Sequence, residues 1–259
     1  VRQRIQLALL LAVALVLLAA PGCKAPQNGI SVELAKTVNG HKMAEALKGD
    51  ALVVTVRNDN QLFLGTDRIA SDMLIARAKD WSYDHIDRRV FIKADADARY
   101  GTLLEMFDSL RDAGVTEFGL LTKQRDAKKS SEEVPTGLDV NDELPIFLPP
   151  LPVNAYRPLS VVVLPTTSGV RLRMNQEHVP CADLHAESGP CLDHLREKLR
   201  AIFESQAEKL LFVKADPFLP FNDVAQVIDA AYGAGLDKIG MVTPKLELES
   251  PFAVPKVLH

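Results

Sequence analysis

The stretch VFIKADADARYGTLLEMFDSLRDAGVTEFGLLT, Val90 to Thr122, comes back near the other end of the chain as LFVKADPFLPFNDVAQVIDAAYGAGLDKIGMVT, Leu211 to Thr243. Laid one on the other without a gap, Phe91, Lys93, Ala94 and Asp95 fall on Phe212, Lys214, Ala215 and Asp216. Further along, Asp108 meets Asp229, Ala113-Gly114 meets Ala234-Gly235, Gly119 meets Gly240 and Thr122 meets Thr243. Each copy opens on a buried strand, RVFIKAD or KLLFVKAD. A helix follows, with Leu103, Leu104, Phe107 and Leu110 on one face in the first copy and Val224, Val227, Ile228 and Ala231 in the second. Gly114 and Gly235 are the left-handed residues that end a helix, and EFGLLT or KIGMVT is the last strand.

Working outward, the same order precedes both copies. ALVVTVR and LFLGTD, joined by the polar turn NDNQ, match PLSVVVLP and VRLRMN. A helix then separates each hairpin from its repeated unit: SDMLIARAKDW, with Ser71 or Asp72 placed to cap it, and CLDHLREKLRAIF. The pattern predicts an α+β fold of two tandem two-layer α/β sandwich domains, ββαβαβ-like. Right-handed crossovers make the strands of each strand–helix–strand unit parallel or near neighbours. The expected boundaries are domain 1 at 29–123, a linker at 124–157, domain 2 at 158–245 and a tail at 246–259. The linker begins charged and Ser-rich and ends Pro-rich from Pro145 onward, a composition that a helix or central strand does not accept.

Residues 1–23 carry a different signal. Arg2 and Arg4 precede the uncharged run IQLALLLAVALVLLAA, which ends at Pro21-Gly22-Cys23. A membrane span wants about 20 apolar residues, so this run is a little short. A basic start, a short apolar stretch and small residues before a cysteine are the parts of an export signal, and the segment looks like a bacterial lipoprotein signal with Cys23 as the lipidated residue. The alternative is an uncleaved anchor helix held by Arg2 and Arg4 in the cytoplasm. Either places the rest of the chain across the membrane. In an oxidising compartment Cys181 and Cys191 are left as an even pair, and a disulfide is the expected state. Free thiols, or a metal held by Cys181, His185, Cys191 and His194, are the alternatives; C-x3-H-x5-C-x2-H is not a common structural zinc spacing.

The order from ISVELAK through the hairpin to VFIKADADARYGTLLEMFDSLRDAGVTEFGLLT resembles the periplasmic domain of the ExbD/TolR family of biopolymer transport proteins. The matching features are VELAK at Val32 to Lys36, the turn at Asn58 to Asn60, Asp95, Tyr100-Gly101 and Ala113-Gly114. The second copy departs, with Phe221-Asn222 in place of Tyr-Gly and an added loop around the cysteines. The resemblance implies a non-enzymatic accessory of a proton-driven transport system, in the bacterial inner membrane or lipid-anchored and facing the periplasm. Its implied partners are a MotA/TolQ/ExbB-like proton channel, a TonB- or TolA-like protein and peptidoglycan. Family helices carry a proton-transferring Asp; here no Asp or Glu lies between Ile5 and Gly22, and the first carboxylate is Glu33. The rival expectation is a structural envelope lipoprotein that binds peptidoglycan or an outer-membrane partner without any channel. Because units of this type pair in use, the duplication implies an intramolecular pseudo-dimer. A tether of about 35 residues gives an effective concentration on the order of millimolar.

Candidate chemistry is sparse. Asp95 and Asp216 sit between a strand and a helix without a partner acid or base nearby, which reads as helix capping rather than catalysis. No P-loop, G-x-S-x-G or H-E-x-x-H motif is present. The net charge of −4, with no basic cluster beyond RDAKK, removes the footprint of a nucleic-acid binder. No catalytic residue, cofactor or metal is assigned. Trp81 and Tyr83 read as lids on the core.

If Cys23 is acylated, Cys23→Ala leaves an uncleaved precursor and abolishes incorporation of radiolabelled fatty acid. Label retained in the variant, or absent from the wild type, leaves the anchor helix.

Overall fold

The computed structural model describes residues 30–42, 46, 50–85, 89–125, 142–149, 159–167, 169–175, 177–181, 184, 190–204, 206 and 209–249. Cys23 and His185 lie outside them. The first repeat opens on the short strands β1 (Lys36–Thr37) and β2 (His41–Lys42). It continues through β3 (Val53–Val56), β4 (Leu62–Leu64), β5 (Asp67–Arg68), helix α1 (Ser71–Asp84), β6 (Val90–Ala94), α2 (Tyr100–Asp112) and β7 (Glu117–Gln124). After β8 (Asp142–Phe147), the second runs β9 (Leu159–Thr166), β10 (Gly169–Met174), β11 (Glu177–Val179), α3 (Pro190–Phe203), β12 (Leu210–Ala215), α4 (Phe221–Gly233) and β13 (Lys238–Met241). A short helix, α5 (Pro244–Glu249), follows.

The architecture is mixed α/β, with one large sheet in the order β11-β10-β9-β12-β13-β8-β7-β6-β3-β4-β5. Either side of β8 the pattern is the same. Three parallel neighbours, β3-β6-β7 and β9-β12-β13, follow the crossover through each helix. An antiparallel meander closes each edge, and its third strand, β5 or β11, was not in the ββαβαβ expectation. Those strands are only two and three residues long, too short to show an alternating pattern.

β8 is the main departure from the expected linker. Residues 142–147 pair antiparallel with β7 along their whole length and touch β13 at Gly240↔Phe147. A proline is tolerated inside this strand because of where its missing N–H would point. The Leu148 N–H donates to the Thr116 carbonyl, so alternate residues face β7 and Pro145 faces the other way. On that side β2 pairs only with Asp142 and Glu143 and β13 only with Phe147, so Pro145 falls between them. Its carbonyl accepts the Tyr232 hydroxyl instead.

One apolar cluster runs through both repeats, from Val54, Ile92, Phe107 and Leu120 to Val163, Leu199, Val213 and Ile228. A smaller cluster on the opposite side of the first repeat joins Phe91 and Leu121 to Leu34 and Ala46. The repeated glycines of the last strands have a packing cause. A Cβ at Gly119 would lie 2.8 Å from a Phe91 ring carbon, and one at Gly240 would lie 2.7 Å from Phe212. Each glycine is the space under its neighbour's ring. Gly114 and Gly235 have φ of 90° and 86°. Behind them Val115 N–H reaches the Leu110 carbonyl and Leu236 N–H reaches Ala231, the Schellman closure of a helix end.

Helix starts differ from expectation. Ala70, Arg99 and Pro220 are the N-caps of α1, α2 and α4, and none makes a side-chain cap. Asp72 accepts the Met73 N–H within the first turn of α1. Asp95 and Asp216 do not cap. Asp95 Oδ1 accepts the Asp97 N–H at 3.1 Å, and Asp216 Oδ1 accepts the Phe218 N–H at 2.9 Å. Both stand too far ahead of the helix, so they shape the loop as Asx turns.

The N–H groups of the two helices are met from the other repeat. Tyr100 N–H donates to the Leu219 carbonyl and Phe221 N–H to Ala98; Gly101 N–H donates to Pro217 and Asn222 N–H to Ala96. The alignment of the two copies carries each bond onto its counterpart, with Arg99 bridged to Pro220 between them. Gly101 eases this approach, since a Cβ there would lie 3.0 Å from the Pro217 carbonyl oxygen and the facing loop would have to give way. The Tyr100 hydroxyl is buried and has no hydrogen-bond partner among the described residues. Its counterpart is already Phe221.

Tyr100→Phe therefore leaves stability unchanged or raises it by up to about 1 kcal/mol, because no bond is lost. Gly101→Val costs about 1–3 kcal/mol by forcing the loops apart. Urea unfolding of both variants checks the contrast, and equal losses would contradict it.

Candidate interaction site at the junction of the repeats

Residues 30–42 form a strap that crosses from one repeat to the other. It starts over the end of β6, where Asp95 Oδ2 accepts the Glu33 N–H at 3.0 Å and the Glu33 carbonyl accepts the Ala96 N–H. It then runs parallel to the end of β7: Lys123 N–H donates to Ala35, Arg125 N–H to Thr37, and the Thr37 and Thr122 hydroxyls meet at 2.7 Å. Beyond Thr37 it reaches α4. Asp229 accepts the Val38 N–H at 3.1 Å and the Asn39 N–H at 2.7 Å, while Asn39 Nδ2 donates to the Asp229 carbonyl. Gln226 Nε2 donates to the Lys36 carbonyl at 2.6 Å, and Gln226 Oε1 accepts from Arg125. Two antiparallel pairs of β2 with β8, His41↔Glu143 and Lys42↔Asp142, complete the crossing.

This explains the repeated aspartate and threonine. Asp229 of the second repeat holds the strap, while Asp108 of the first accepts the Thr243 hydroxyl at 2.5 Å and stands 3.4 Å from the Lys245 N–H. The copies are not equivalent beyond that point. Lys123 supplies the N–H that receives the strap, and its counterpart is Pro244, which has none. The second copy turns into α5 instead, with Leu246 buried and Lys245 paired to Asp112.

Two clefts flank the strap and β8. One, of about 570 Å3, is mainly apolar, lined by Phe118, Ile146, Phe147, Leu210, Tyr232 and Ile239, with Arg89, Glu117, Asp237 and Lys238 around it. Arg89 pairs with Glu143 at 2.8 Å, and burial pushes the Tyr232 hydroxyl pKa upward. The other, of about 460 Å3, is lined by Glu33, Lys36, Asp97, Arg125, Asn222 and Gln226. The first sets apolar walls beside charged edges; the second is polar and lies between the strap and the facing loops.

Of the other residues singled out in the sequence, Cys181 and Cys191 are joined as a disulfide with Cα atoms 4.3 Å apart. No group of three His, Cys, Asp or Glu among the described residues could hold a metal ion. Trp81 is half-buried and donates to the Asp50 carbonyl at 2.9 Å, whereas Tyr83 is 84 % exposed and is no lid. The strap and Asp229 were missed, although their signal was present. Asn222, Asp223, Gln226 and Asp229 form a polar stripe at helical spacing, which ordinarily marks a solvated face; Asp223, Gln226 and Asp229 are instead buried.

The site thus belongs to a mixed α/β unit in which residues 30–42 are strapped across the two halves of one sheet. Residues 6–125 match the family described as Biopolymer transport protein ExbD/TolR, so the resemblance is shown for the first repeat and for the apolar run that precedes it. Biopolymer transport protein ExbD of Escherichia coli (strain K12) and that of Shigella flexneri are each 28 % identical to this chain over 71 residues. That segment is 27 % of this chain and 50 % of each relative, so the chain spans about half the length of the curated relatives it matches. No helix among the described residues is long and apolar enough to cross a membrane.

Replacing Asp229 by Ala removes the acceptor of two backbone N–H groups and costs about 2–3 kcal/mol. Hydrogen exchange resolves where: Val38 and Asn39 lose protection while β12 and β13 keep it. Retained protection at both amides would show that the strap is held elsewhere.

Proposed function

We propose that this protein is a membrane-tethered, non-enzymatic accessory subunit of a proton-motive-force-linked transport system of the ExbB/ExbD or TolQ/TolR kind, with its folded part in the periplasm. The observation that carries the reading is the family match over residues 6–125, which joins the apolar leading segment and the first repeat in one unit. The tether is residues 1–23, as a lipidated Cys23 or an anchor helix. A TolQ/ExbB-like channel is the expected neighbour within the membrane and a TonB- or TolA-like protein the expected ligand of the folded part. The reciprocal bonds between Tyr100–Gly101 and Phe221–Asn222 support a pseudo-dimer, because an isologous contact has this form. The continuous sheet and core support its two repeats, at 29–123 and 158–245, working as a pair.

A second reading has its own support. With no carboxylate from Ile5 to Gly22, this chain has no residue there to relay protons, which suits an envelope lipoprotein bound to peptidoglycan and independent of a channel. Affinity purification of the full chain from membranes after cross-linking separates the two. Recovery of a TolQ/ExbB-like channel supports the transport reading; recovery of peptidoglycan fragments without a channel supports the lipoprotein.

A further inference from the structure

Val54, Ile92, Val163 and Val213 face the core shared with Leu74 of α1, Leu103 of α2, Leu199 of α3 and Ile228 of α4. Their strand neighbours point to the other, helix-free face of the sheet. In the first repeat that face is covered. Val32 and Leu34 of the strap, with Ala46 and Ala51, lie on Val53, Phe91 and Leu121, and Lys93 Nζ donates to the Ile30 carbonyl at 2.9 Å. The Ala96 and Lys123 N–H groups receive the strap's Glu33 and Ala35 carbonyls. The alignment of the copies puts Pro217 and Pro244 at those two positions, and neither has an N–H. The second repeat therefore cannot take a chain onto its helix-free face in the same way.

What the second repeat presents there is basic. Along one row of the sheet His178 pairs with Arg173, Arg173 with Val162, and Val162 with Lys214. Leu172, Val179, Val163 and Val213 beside them point into the core, so this row lies on the helix-free face. One row further Arg171 pairs with Leu164, and at the other end Lys238 pairs with Leu210. Arg171, Arg173, His178 and Lys238 are exposed, while Val162, Leu164, Leu210 and Val242 are half-buried. The acids near this group stand at its margins. Asp216 turns Oδ1 to the Phe218 N–H, Glu117 lies across β8 opposite Phe147, and Asp237 precedes β13. The chain as a whole carries a net charge of −4, so the basic character belongs to this face and not to the protein.

The tether enters on the same side. Ile30 and Val32 lie on the helix-free face of the first repeat, and residues 24–29 separate them from Cys23. Extended chain from Cys23 to Ile30 reaches at most about 25 Å, against about 50 Å for the breadth of this sheet. We propose that the helix-free face of the second repeat, built on Arg171, Arg173, Lys214 and Lys238, docks on the anionic phospholipid surface of the membrane that holds the tether. A sheet face that sets half-buried aliphatic side chains between cations suits lipid phosphates and the headgroup boundary. An added strand from a protein partner is the poorer occupant, because Pro217 and Pro244 remove the N–H groups that hold such a strand in the first repeat. The inference rests on the tethered reading of residues 1–23, and it turns the helices away from the membrane.

Methyl-labelled full-length chain in nanodiscs whose lipid headgroups carry gadolinium tests this. In discs containing phosphatidylglycerol, relaxation enhancement at the Val162, Leu164 and Val242 methyls should exceed severalfold that at Met73, on the outside of α1. The preference should vanish in phosphatidylcholine discs, in about 0.5 M salt, and in the double variant Arg171→Glu, Arg173→Glu. Equal enhancement on both faces in the anionic discs, or a preference that survives salt or charge reversal, overturns the proposal; the salt arm needs no variant to fold. A chain that does not stay with the discs contradicts the tether instead. Co-sedimentation of that chain with phosphatidylglycerol vesicles then decides the face. Charge reversal should weaken binding about 25-fold or more, one basic residue being worth roughly fivefold at such a surface. No binding, or binding that the reversal leaves unchanged, overturns the docking.

Discussion

The first backbone N–H groups of a helix have no acceptor inside the helix, and burying them unmet is costly. Both repeats begin their main helix on a buried aromatic residue, Tyr100 or Phe221, after a loop whose aspartate is spent on an Asx turn, leaving no side chain to cap it. Each loop instead offers carbonyls to the other's helix, through Ala96 and Ala98 on one side and Pro217 and Leu219 on the other. Neither helix start is satisfied alone in this arrangement. The continuous core and the shared sheet are consistent with that mutual dependence, since the loops can meet only if the repeats are packed together.

A contact with this symmetry needs its two sides to agree, yet a single chain is free to let them differ. Gly101 accommodates the bulk of Pro217, whereas its counterpart Asn222 faces the small Ala96 and can carry a side chain. Lys123 extends β7 and receives the strap; Pro244 ends the corresponding run and starts α5. The differences between the copies therefore fall at contacts that are themselves unequal. One strap serves a junction whose polar residues come from both copies.

Much of this was legible in the residues. The apolar spacing of Leu103, Leu104, Phe107 and Leu110 and the glycines at 114 and 235 located helices and their ends, because such signals are local. The turn into α2 was misread because capping by a distant carbonyl leaves no trace beside the helix. β8 was hidden by Pro145, whose acceptability depends on a gap between β2 and β13 that no local pattern encodes. The buried stripe on α4 has the composition of a solvated face; only the strap's backbone, supplied from nearly two hundred residues away, makes it an interior one.

A polar stripe on a helix is inexpensive while water covers it and becomes specific once a backbone segment replaces the water, because each carboxylate then has particular N–H groups to meet. Asp229 meets such groups in the strap, and Asp108 meets Thr243 and the start of α5. The same repeated aspartate thus holds the chain's entry into the fold in one copy and its exit from the last strand in the other. With Lys123 aligned on Pro244, one kind of helix-face acceptor serves as two different anchoring points.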